Sequence, residues 1–173
     1  MQHRASHGPG AAEARPELTW LFLGIPASTV AWARANYDDG FLRRHIAFKG
    51  RVTHLEALEE VRASRIGFNY HPALRRFLVA IPMKVFEYMQ MDVPVVSTAL
   101  PELARLLRAD RDAVLVDGQD PESYARFIAE LLADPVRAQA LGTAGRARIE
   151  DGLNWEASEA AKLLAAYEDV LGP

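Results

Sequence analysis

The sequence predicts a doubly wound α/β fold, in which a parallel sheet carries helices on both faces. Short apolar runs rich in valine, leucine and phenylalanine alternate with segments of helical periodicity along most of the chain. Aspartate, threonine and proline residues typical of helix starts stand between them. Half of the 173 residues are apolar, which is enough for one domain with an ordinary core. Strands and helices that alternate at this spacing favour right-handed crossovers between parallel strands.

The first predicted strand follows an N-terminal segment of different composition. Residues 1–16 are rich in glycine, alanine and proline and lack apolar periodicity, so we expect a flexible lead-in to a domain over residues 17–173. Residues 18–24 form a continuous apolar run and predict a buried strand. Residues 26–37 follow as a helix, for which Ser28 is the expected N-cap.

Two further strands complete the first half of the predicted sheet. They are expected near residues 45–49 and 65–69. Between them, Thr53 and Glu56 have the spacing of a capping box and predict the start of a helix. Helical spacing places three apolar side chains on one face of this helix: Leu55, Leu58 and Val61.

The segment from Pro82 to Thr98 organises the second half. Val85, Phe86 and Met89 have the spacing of one apolar helix face. A proline at position 94 ends this helix, and residues 93–97 then predict a fourth buried strand. The connection before the helix, residues 70–82, is the least regular part of the chain.

The C-terminal third predicts a fifth strand and four helices. The strand is expected at residues 113–116, after a helix that begins at Pro101 and ends at Leu107. The Asp-Pro pairs at 120–121 and 134–135 each combine an N-cap with proline in the first turn. The last helix is capped by Asn154. We expect five of its residues to pack inward: Trp155, Leu163, Leu164, Tyr167 and Leu171.

Composition excludes several classes of function. A net charge of −3 argues against a nucleic-acid-binding protein, which is usually basic. The absence of cysteine excludes disulfides, thiolate metal sites and cysteine nucleophiles. No apolar run reaches the roughly 20 residues of a transmembrane helix, and the N-terminus has no signal-peptide core. We therefore expect a cytoplasmic protein without a transmembrane segment.

One motif resembles a known family. The sequence Pro-Met-Lys-Val-Phe-Glu-Tyr-Met, followed after five residues by Pro-Val-Val, is similar to the donor-binding signature of group 1 glycosyltransferases of the GT-B fold. The resemblance covers residues 17–171 and corresponds to the C-terminal domain of those enzymes. It implies that Glu87 binds the ribose of a nucleotide sugar and that Lys84 contacts the diphosphate. No cofactor and no metal are implied.

Three further positions are candidates because of their place in the predicted fold. Ligands of open α/β sheets bind beyond the carboxyl ends of the strands. The loops after the third and fourth strands lie there. Ser97 and Thr98 are therefore candidate polar contacts, and Arg75 is a candidate diphosphate contact. The catalytic residue stays unknown. The alternative interpretation of Lys84 and Glu87 is a pair of solvated helix residues in contact with each other.

The chain departs from the family in several ways. The domain of the family begins with one more strand, which lies at the centre of its sheet, and nothing in residues 1–16 resembles it. The acceptor-binding N-terminal domain is missing as well. Val79 stands where many retaining members have a first glutamate, and Asp92 replaces a glycine that ends the helix. A sheet without its central strand has unpaired edges, so we expect self-association or marginal stability of the monomer.

Together these observations predict the donor-binding half of a glycosyltransferase, incomplete and inactive as this chain alone. Its reaction would move a sugar from a nucleoside diphosphate to an acceptor. Two alternatives stay open: a non-catalytic nucleotide-binding or interaction module of the same fold, and a fragment of a nucleotide-sugar epimerase.

Overall fold

The computed structural model describes residues 18–72 and 74–172, so the predicted lead-in over residues 1–16 lies outside it. The first sheet has two parallel strands, β1 (Trp20–Phe22) and β2 (Ile46–Phe48). Two helices connect them, α1 (Ala27–Asn36) and α2 (Asp39–His45).

The starts of α1 and α2 both differ from the sequence-based expectation. Ser28 is not the N-cap of α1, because that helix begins directly after Pro26, whose backbone is extended and whose ring offers no capping oxygen. The helix α2 was not predicted. Its signal in the sequence is Asp38, whose carboxylate accepts a hydrogen bond from the backbone N–H of Phe41 at 2.7 Å.

The second sheet has three parallel strands in the order β3 (Gly67–Asn69), β4 (Val95–Thr98) and β5 (Val114–Val116). The register places Phe68 opposite Val96, and Val96 opposite Val114. The remaining elements in the described residues are a 3₁₀ turn and seven helical segments. They are the 3₁₀ turn Arg75–Phe77, α3 (His54–Ala63), α4 (Met83–Gln90), α5 (Pro101–Leu106), α6 (Pro121–Ala133), α7 (Pro135–Glu150), a π-helical turn Trp155–Glu159 and α8 (Ala160–Leu171).

The predicted N-caps are confirmed, apart from that of α1. Thr53 and Glu56 form a complete capping box at the start of α3. Asp120 accepts the N–H of Ser123 at 3.0 Å, and Asp134 accepts the N–H of Arg137 at 2.9 Å. Asn154 accepts the N–H of Ala157 at 2.7 Å. These caps satisfy backbone donors that a helix leaves unpaired at its start.

Two apolar clusters lie on opposite faces of the second sheet. Val96 packs with Ile128 and other residues of α6 on one face. Val95 packs with Val85 and Met89 of α4 on the other face. Neighbouring residues of a strand point to opposite faces, so β4 belongs to both clusters.

The five predicted parallel strands are confirmed, but they are shorter than expected and form two sheets. Among the described residues, no backbone hydrogen bond joins β1 to β3. The two sheets meet instead through side chains. The rings of Trp20 and Phe68 lie edge to face, with centroids 5.3 Å apart. β1 and β3 each therefore have one edge without a described hydrogen-bonded neighbour, in agreement with the expected unpaired edges.

The inward packing predicted for the C-terminal helix is wrong. All five residues are well exposed, and Trp155 and Tyr167 are 55% and 57% exposed. The amphipathic pattern is real, but no described element covers the apolar face of α8. The five are Trp155, Leu163, Leu164, Tyr167 and Leu171. Leu55 of α3 is likewise exposed, whereas Val61 on the same helix is buried.

Within the described ranges, every helix is too short or too polar to cross a lipid bilayer.

The helix α7 approaches the end of α4 so closely that only glycine fits at the contact. A Cβ atom at Gly142 would lie 2.1 Å from the carbonyl oxygen of Asp92. Asp92 itself has a φ of 59°, the left-handed conformation that favours glycine. Its carboxylate accepts a hydrogen bond from Arg146 of α7 at 2.9 Å. The turn after α4 is thus held by α7.

Replacing Gly142 by alanine is expected to lower the free energy of unfolding by about 1–3 kcal/mol, because the added methyl group has to push α7 away from backbone atoms. Urea denaturation of both proteins measures the change. Thr143→Ala, at the exposed neighbouring position, is the control and should alter stability by no more than about 0.5 kcal/mol. Equal stability of Gly142→Ala and wild type would contradict this close packing.

Candidate functional site

The carboxyl ends of β3, β4 and β5 lie side by side and form one edge of the second sheet. The loop after β3 is tied to this edge by Thr98. Its hydroxyl oxygen accepts the backbone N–H of His71 at 3.0 Å and lies 2.8 Å from the hydroxyl of Tyr124. Tyr124 in turn donates to the carbonyl of Gly118, in the turn after β5, at 3.2 Å. All three loops at the edge are therefore connected.

Ser97 and Asn69 form a second polar contact below this edge, and both are fully buried. The side-chain amide of Asn69 donates to the hydroxyl of Ser97 at 2.7 Å, and that hydroxyl donates to the carbonyl of Thr98 at 3.0 Å. The carbonyl oxygen of the Asn69 side chain is buried and has no hydrogen-bond partner among the described residues. Such a group is costly to bury unless a partner is supplied.

Gln119 closes the outer side of the edge. Its side-chain oxygen accepts a hydrogen bond from the hydroxyl of Tyr70 at 3.0 Å, and its amide donates to the carbonyl of His71 at 3.3 Å. The sequence analysis did not identify Tyr70, Gln119 or Tyr124. The only signal for Gln119 was its position after the Asp117-Gly118 turn at the end of a predicted strand.

The helix α4 packs its apolar face against β3 and β4. Val85 and Met89 are fully buried. The ring of Tyr88 lies directly on Gly67, where a Cβ atom would come within 2.3 Å of the ring. This seating leaves Lys84 and Glu87 on the flanks of the helix, as predicted from the spacing.

Lys84 lies in a partly desolvated position next to His71. Burial lowers the pKa of the Lys84 ammonium group. Burial also lowers the pKa of His71, and the positive charge of Lys84 lowers it further. These two groups are therefore close enough to interact, and the neutral imidazole is favoured. An anion beside Lys84 would oppose the effect of desolvation on it.

His71 is more enclosed than a surface histidine. The ring of His71 packs against the ring of Phe77, with centroids 4.4 Å apart. The guanidinium carbon of Arg76 lies over the Phe77 ring, 4.8 Å from its centroid. The Nε2 atom of His71 is buried without a hydrogen-bond partner among the described residues. The irregular connection thus presents a histidine beside a lysine.

Lys84 and Glu87 do not form the ion pair that the alternative interpretation required. In the described part of the chain, neither residue takes part in a salt bridge, and neither does Arg75. Arg75 is exposed in the 3₁₀ turn. The α4 N-cap, Pro82, makes no side-chain capping bond, so the positive end of the helix stays available to an anion.

Ser97 and Thr98 differ from the other three candidates. Their hydroxyl groups are buried and bonded to other parts of the protein, so they hold the loop after β3 in place. Lys84, Glu87 and Arg75 carry charges that no described residue neutralises. Such an arrangement suits a ligand with an anionic part and a part that offers hydroxyl donors. Among the described residues, no cluster of three histidine, aspartate or glutamate side chains has the geometry to hold a metal ion.

Comparison with characterised glycosyltransferases gives several sequence relatives. The chain is 37% identical over 78 residues to D-inositol 3-phosphate glycosyltransferase of Thermobifida fusca, a match that covers 45% of this chain and 18% of the relative. It is 26% identical over 155 residues to a GDP-mannose-dependent monoacylated alpha-(1-6)-phosphatidylinositol monomannoside mannosyltransferase of Corynebacterium glutamicum. That match covers 86% of this chain and 38% of the relative. The chain therefore spans well under half the length of these relatives.

A solved structure has the same fold. Sucrose-phosphate synthase from Thermosynechococcus elongatus superposes with a TM-score of 0.74 at 22% sequence identity. The superposition covers 93% of this chain and 40% of that one. The α/β architecture with parallel strands is thus that of a GT-B Rossmann-like domain. The profile of the family described as "Glycosyl transferase-like" matches residues 10–165. Because that match takes in most of the sequence, this chain belongs to the glycosyl transferase-like family.

Proposed function

We propose that this chain is the donor-binding half of a glycosyltransferase, which moves a sugar from a nucleoside diphosphate sugar to an acceptor. The observation that carries the proposal is the position of α4. Lys84, in the first turn of this helix, lies close enough to His71, in the loop after β3 at the carboxyl edge of the second sheet, for its charge to act on that imidazole. Neither Lys84 nor Glu87 forms a salt bridge in the described part of the chain. Parallel α/β sheets bind their ligands at this edge. Membership of the glycosyl transferase-like family supports the same reaction class.

Each candidate residue has a distinct role in the proposal. Glu87 accepts hydrogen bonds from the two hydroxyls of a ribose, a contact suited to an ionised carboxylate. Lys84 and the N-terminus of α4 bind the diphosphate, and Arg75 reaches it from the 3₁₀ turn. Ser97 and Thr98 act indirectly, by fixing the loop that carries His71. Positive groups at this place would stabilise the departing diphosphate.

The domain assigned to this role is residues 17–173. We propose that acceptor binding depends on a separate N-terminal domain, since the matched relatives are much longer than this chain. The chain alone is then a binding module without transferase activity. Its proposed location is the cytoplasm.

The first test concerns Glu87 and Lys84. Wild-type protein is expected to bind a nucleoside diphosphate weakly. Glu87→Ala should weaken binding of the diphosphate by about tenfold to a hundredfold, because a charge-assisted hydrogen bond worth roughly 1.5–3 kcal/mol is lost. Lys84→Ala should weaken the diphosphate more than the nucleoside, because its partner is the phosphate charge. Calorimetric titration with uridine, guanosine and adenosine diphosphates measures both effects.

Glu59→Ala is the matched control. Glu59 is an exposed glutamate on α3 that makes no salt bridge with the described residues, and its removal should leave the affinity unchanged. Binding that survives both Glu87→Ala and Lys84→Ala would move the site away from α4. A wild type that binds no diphosphate would favour the non-catalytic interaction module instead.

Binding is also expected to be independent of divalent metal. In the proposed site, Lys84, Arg75 and the helix N-terminus take the place that a cation would fill beside a diphosphate. Titrations in excess magnesium and in excess chelator should therefore give affinities that agree within about twofold. A large loss of affinity in chelator would contradict the metal-independent mode.

We further propose self-association through the apolar face of α8. Leu164 and Leu171 are exposed and lie seven residues apart on one face of the helix. Analytical ultracentrifugation should detect a concentration-dependent dimer, which Leu164→Glu combined with Leu171→Glu converts to monomer because two charges would have to be buried. Leu55→Glu, at an exposed leucine on α3, is the control and should leave the dimer intact. A wild type that stays monomeric at high concentration would rule out this contact.

A further inference from the structure

Two buried polar atoms have no hydrogen-bond partner among the described residues. They are the side-chain oxygen Oδ1 of Asn69 and the ring nitrogen Nε2 of His71, and we call them the acceptor pair. Asn69 is the last residue of β3, and His71 follows two residues later. Buried polar atoms nearly always have a partner, because an unpaired one loses its bonds to water without replacement. Two such atoms this close in the chain indicate that one group serves both.

Both members of the acceptor pair lie on the side of β3 that faces α4. The ring of Tyr88 on α4 lies directly on Gly67, so this face of the strand is covered by the helix. Side chains alternate along a strand, so Asn69 faces the same way as Gly67. His71 lies close enough to Lys84 of α4 for the charge of the lysine to lower the pKa of the imidazole.

Lys84 is aligned with the acceptor pair. Lys84 and Tyr88 are one helical turn apart, so Lys84 lies about 6 Å from Tyr88 along α4. Asn69 lies about 6.6 Å from Gly67 along β3, so Lys84 is level with Asn69. Side chains of a helix lean toward its N-terminus, and here that direction leads from Asn69 toward His71.

The chemistry of Lys84 matches that of the acceptor pair. An ammonium group has three N–H donors and no acceptor, whereas Oδ1 of Asn69 can only accept. Nε2 of His71 accepts when the imidazole is neutral and carries its proton on Nδ1. Burial and the charge of Lys84 both lower the pKa of His71, which favours the neutral ring. Within the described ranges Lys84 forms no salt bridge, so no carboxylate competes for its donors.

We propose that Asn69 and His71 are positioning residues for Lys84. A rotation of the flexible lysine stem lets the ammonium group donate one hydrogen bond to Oδ1 of Asn69 and one to Nε2 of His71. The third N–H then points to the diphosphate. A lysine that is already held loses less conformational freedom when the ligand binds. The role in diphosphate binding rests on the proposed donor site, whereas the two hydrogen bonds within the protein do not.

The first measurement is the position of the proton on His71. The full chain, labelled with nitrogen-15 in its histidines, is studied by NMR at a pH where the imidazoles are neutral. We expect His71 to carry its proton on Nδ1, which is the minor form of a free histidine. Lys84→Met keeps an unbranched side chain without donors. It should return the proton of His71 to Nε2 and raise the pKa of that ring, because a neighbouring positive charge is lost.

His45 serves as the internal reference for this spectrum. Its Nδ1 lies 3.0 Å from the carbonyl oxygen of Leu18, which can only accept, so His45 also carries its proton on Nδ1. Lys84→Met should leave the signals of His45 unchanged. The signals of His71 are identified by their loss in His71→Gln.

The second measurement is the affinity for uridine diphosphate and for uridine, by calorimetric titration. His71→Phe keeps an aromatic ring and removes the acceptor, so the affinity for the diphosphate should fall about threefold to tenfold. The affinity for uridine should stay within about twofold, because Lys84 acts on the phosphates. His71→Gln restores an acceptor in the side-chain amide and should return the diphosphate affinity to within about twofold of wild type.

The positioning role is overturned if His71 of the wild type carries its proton on Nε2, or if Lys84→Met leaves the proton on Nδ1. A different group, such as an enclosed water molecule, would then be the partner of the acceptor pair. Equal weakening of diphosphate binding by His71→Phe and His71→Gln would also overturn it. A wild type that binds no diphosphate contradicts the donor site instead, and the NMR comparison of wild type with Lys84→Met still decides whether the acceptor pair holds the lysine.

Discussion

The burial of β4 on both faces is the constraint on which the rest of the structure depends. Val95 and Val96 are neighbours in the chain, yet each is fully buried in a different apolar cluster. Full burial of one valine contributes about 1.5–3 kcal/mol, so two such residues fix the strand between two helical layers. The position of α4 on the sheet follows from this, because Val85 and Met89 pack against Val95. The direction of the charged residues on α4 is therefore set by the core.

The same strand changes character at its carboxyl end. Ser97 and Thr98 continue β4 but carry hydroxyl groups into buried positions, where an unpaired polar group is costly. Their bonds to Asn69, to the backbone of His71 and to Tyr124 offset that cost. The irregular connection before α4 is held by these bonds. Order in this loop comes from the edge of the sheet rather than from the loop sequence.

Local signals in the sequence were sufficient for much of the fold. The caps at Thr53, Asp120 and Asp134 were predictable because a cap depends on residues within one turn of the helix. The strands were predictable as existing elements, and the edges of β1 and β3 that lack a described partner agree with the expected unpaired edges. Burial was less predictable wherever it depends on a partner. The periodicity of α8 indicates an apolar face, but it contains no information about whether another element covers that face.

The candidate site likewise combines features that local sequence signals predict with features that depend on distant residues. The positions of Lys84 and Glu87 on the flank of α4 follow from helical spacing alone. The absence of an ion pair between them does not, because it depends on side-chain conformations. The network of Tyr70, Gln119 and Tyr124 joins residues about 50 positions apart in the chain, and spacing cannot reveal it.

Asp134 joins α6 and α7 without any loop between them. Its N–H bonds to Glu130 and closes the last turn of α6, while its carboxylate caps the first turn of α7. Neither helix end can fray without loosening the other, so the two helices behave as one cooperative unit. One of them covers the first apolar cluster, and the other contacts the turn after α4 at Gly142. A single aspartate thus mechanically couples the two faces of the second sheet.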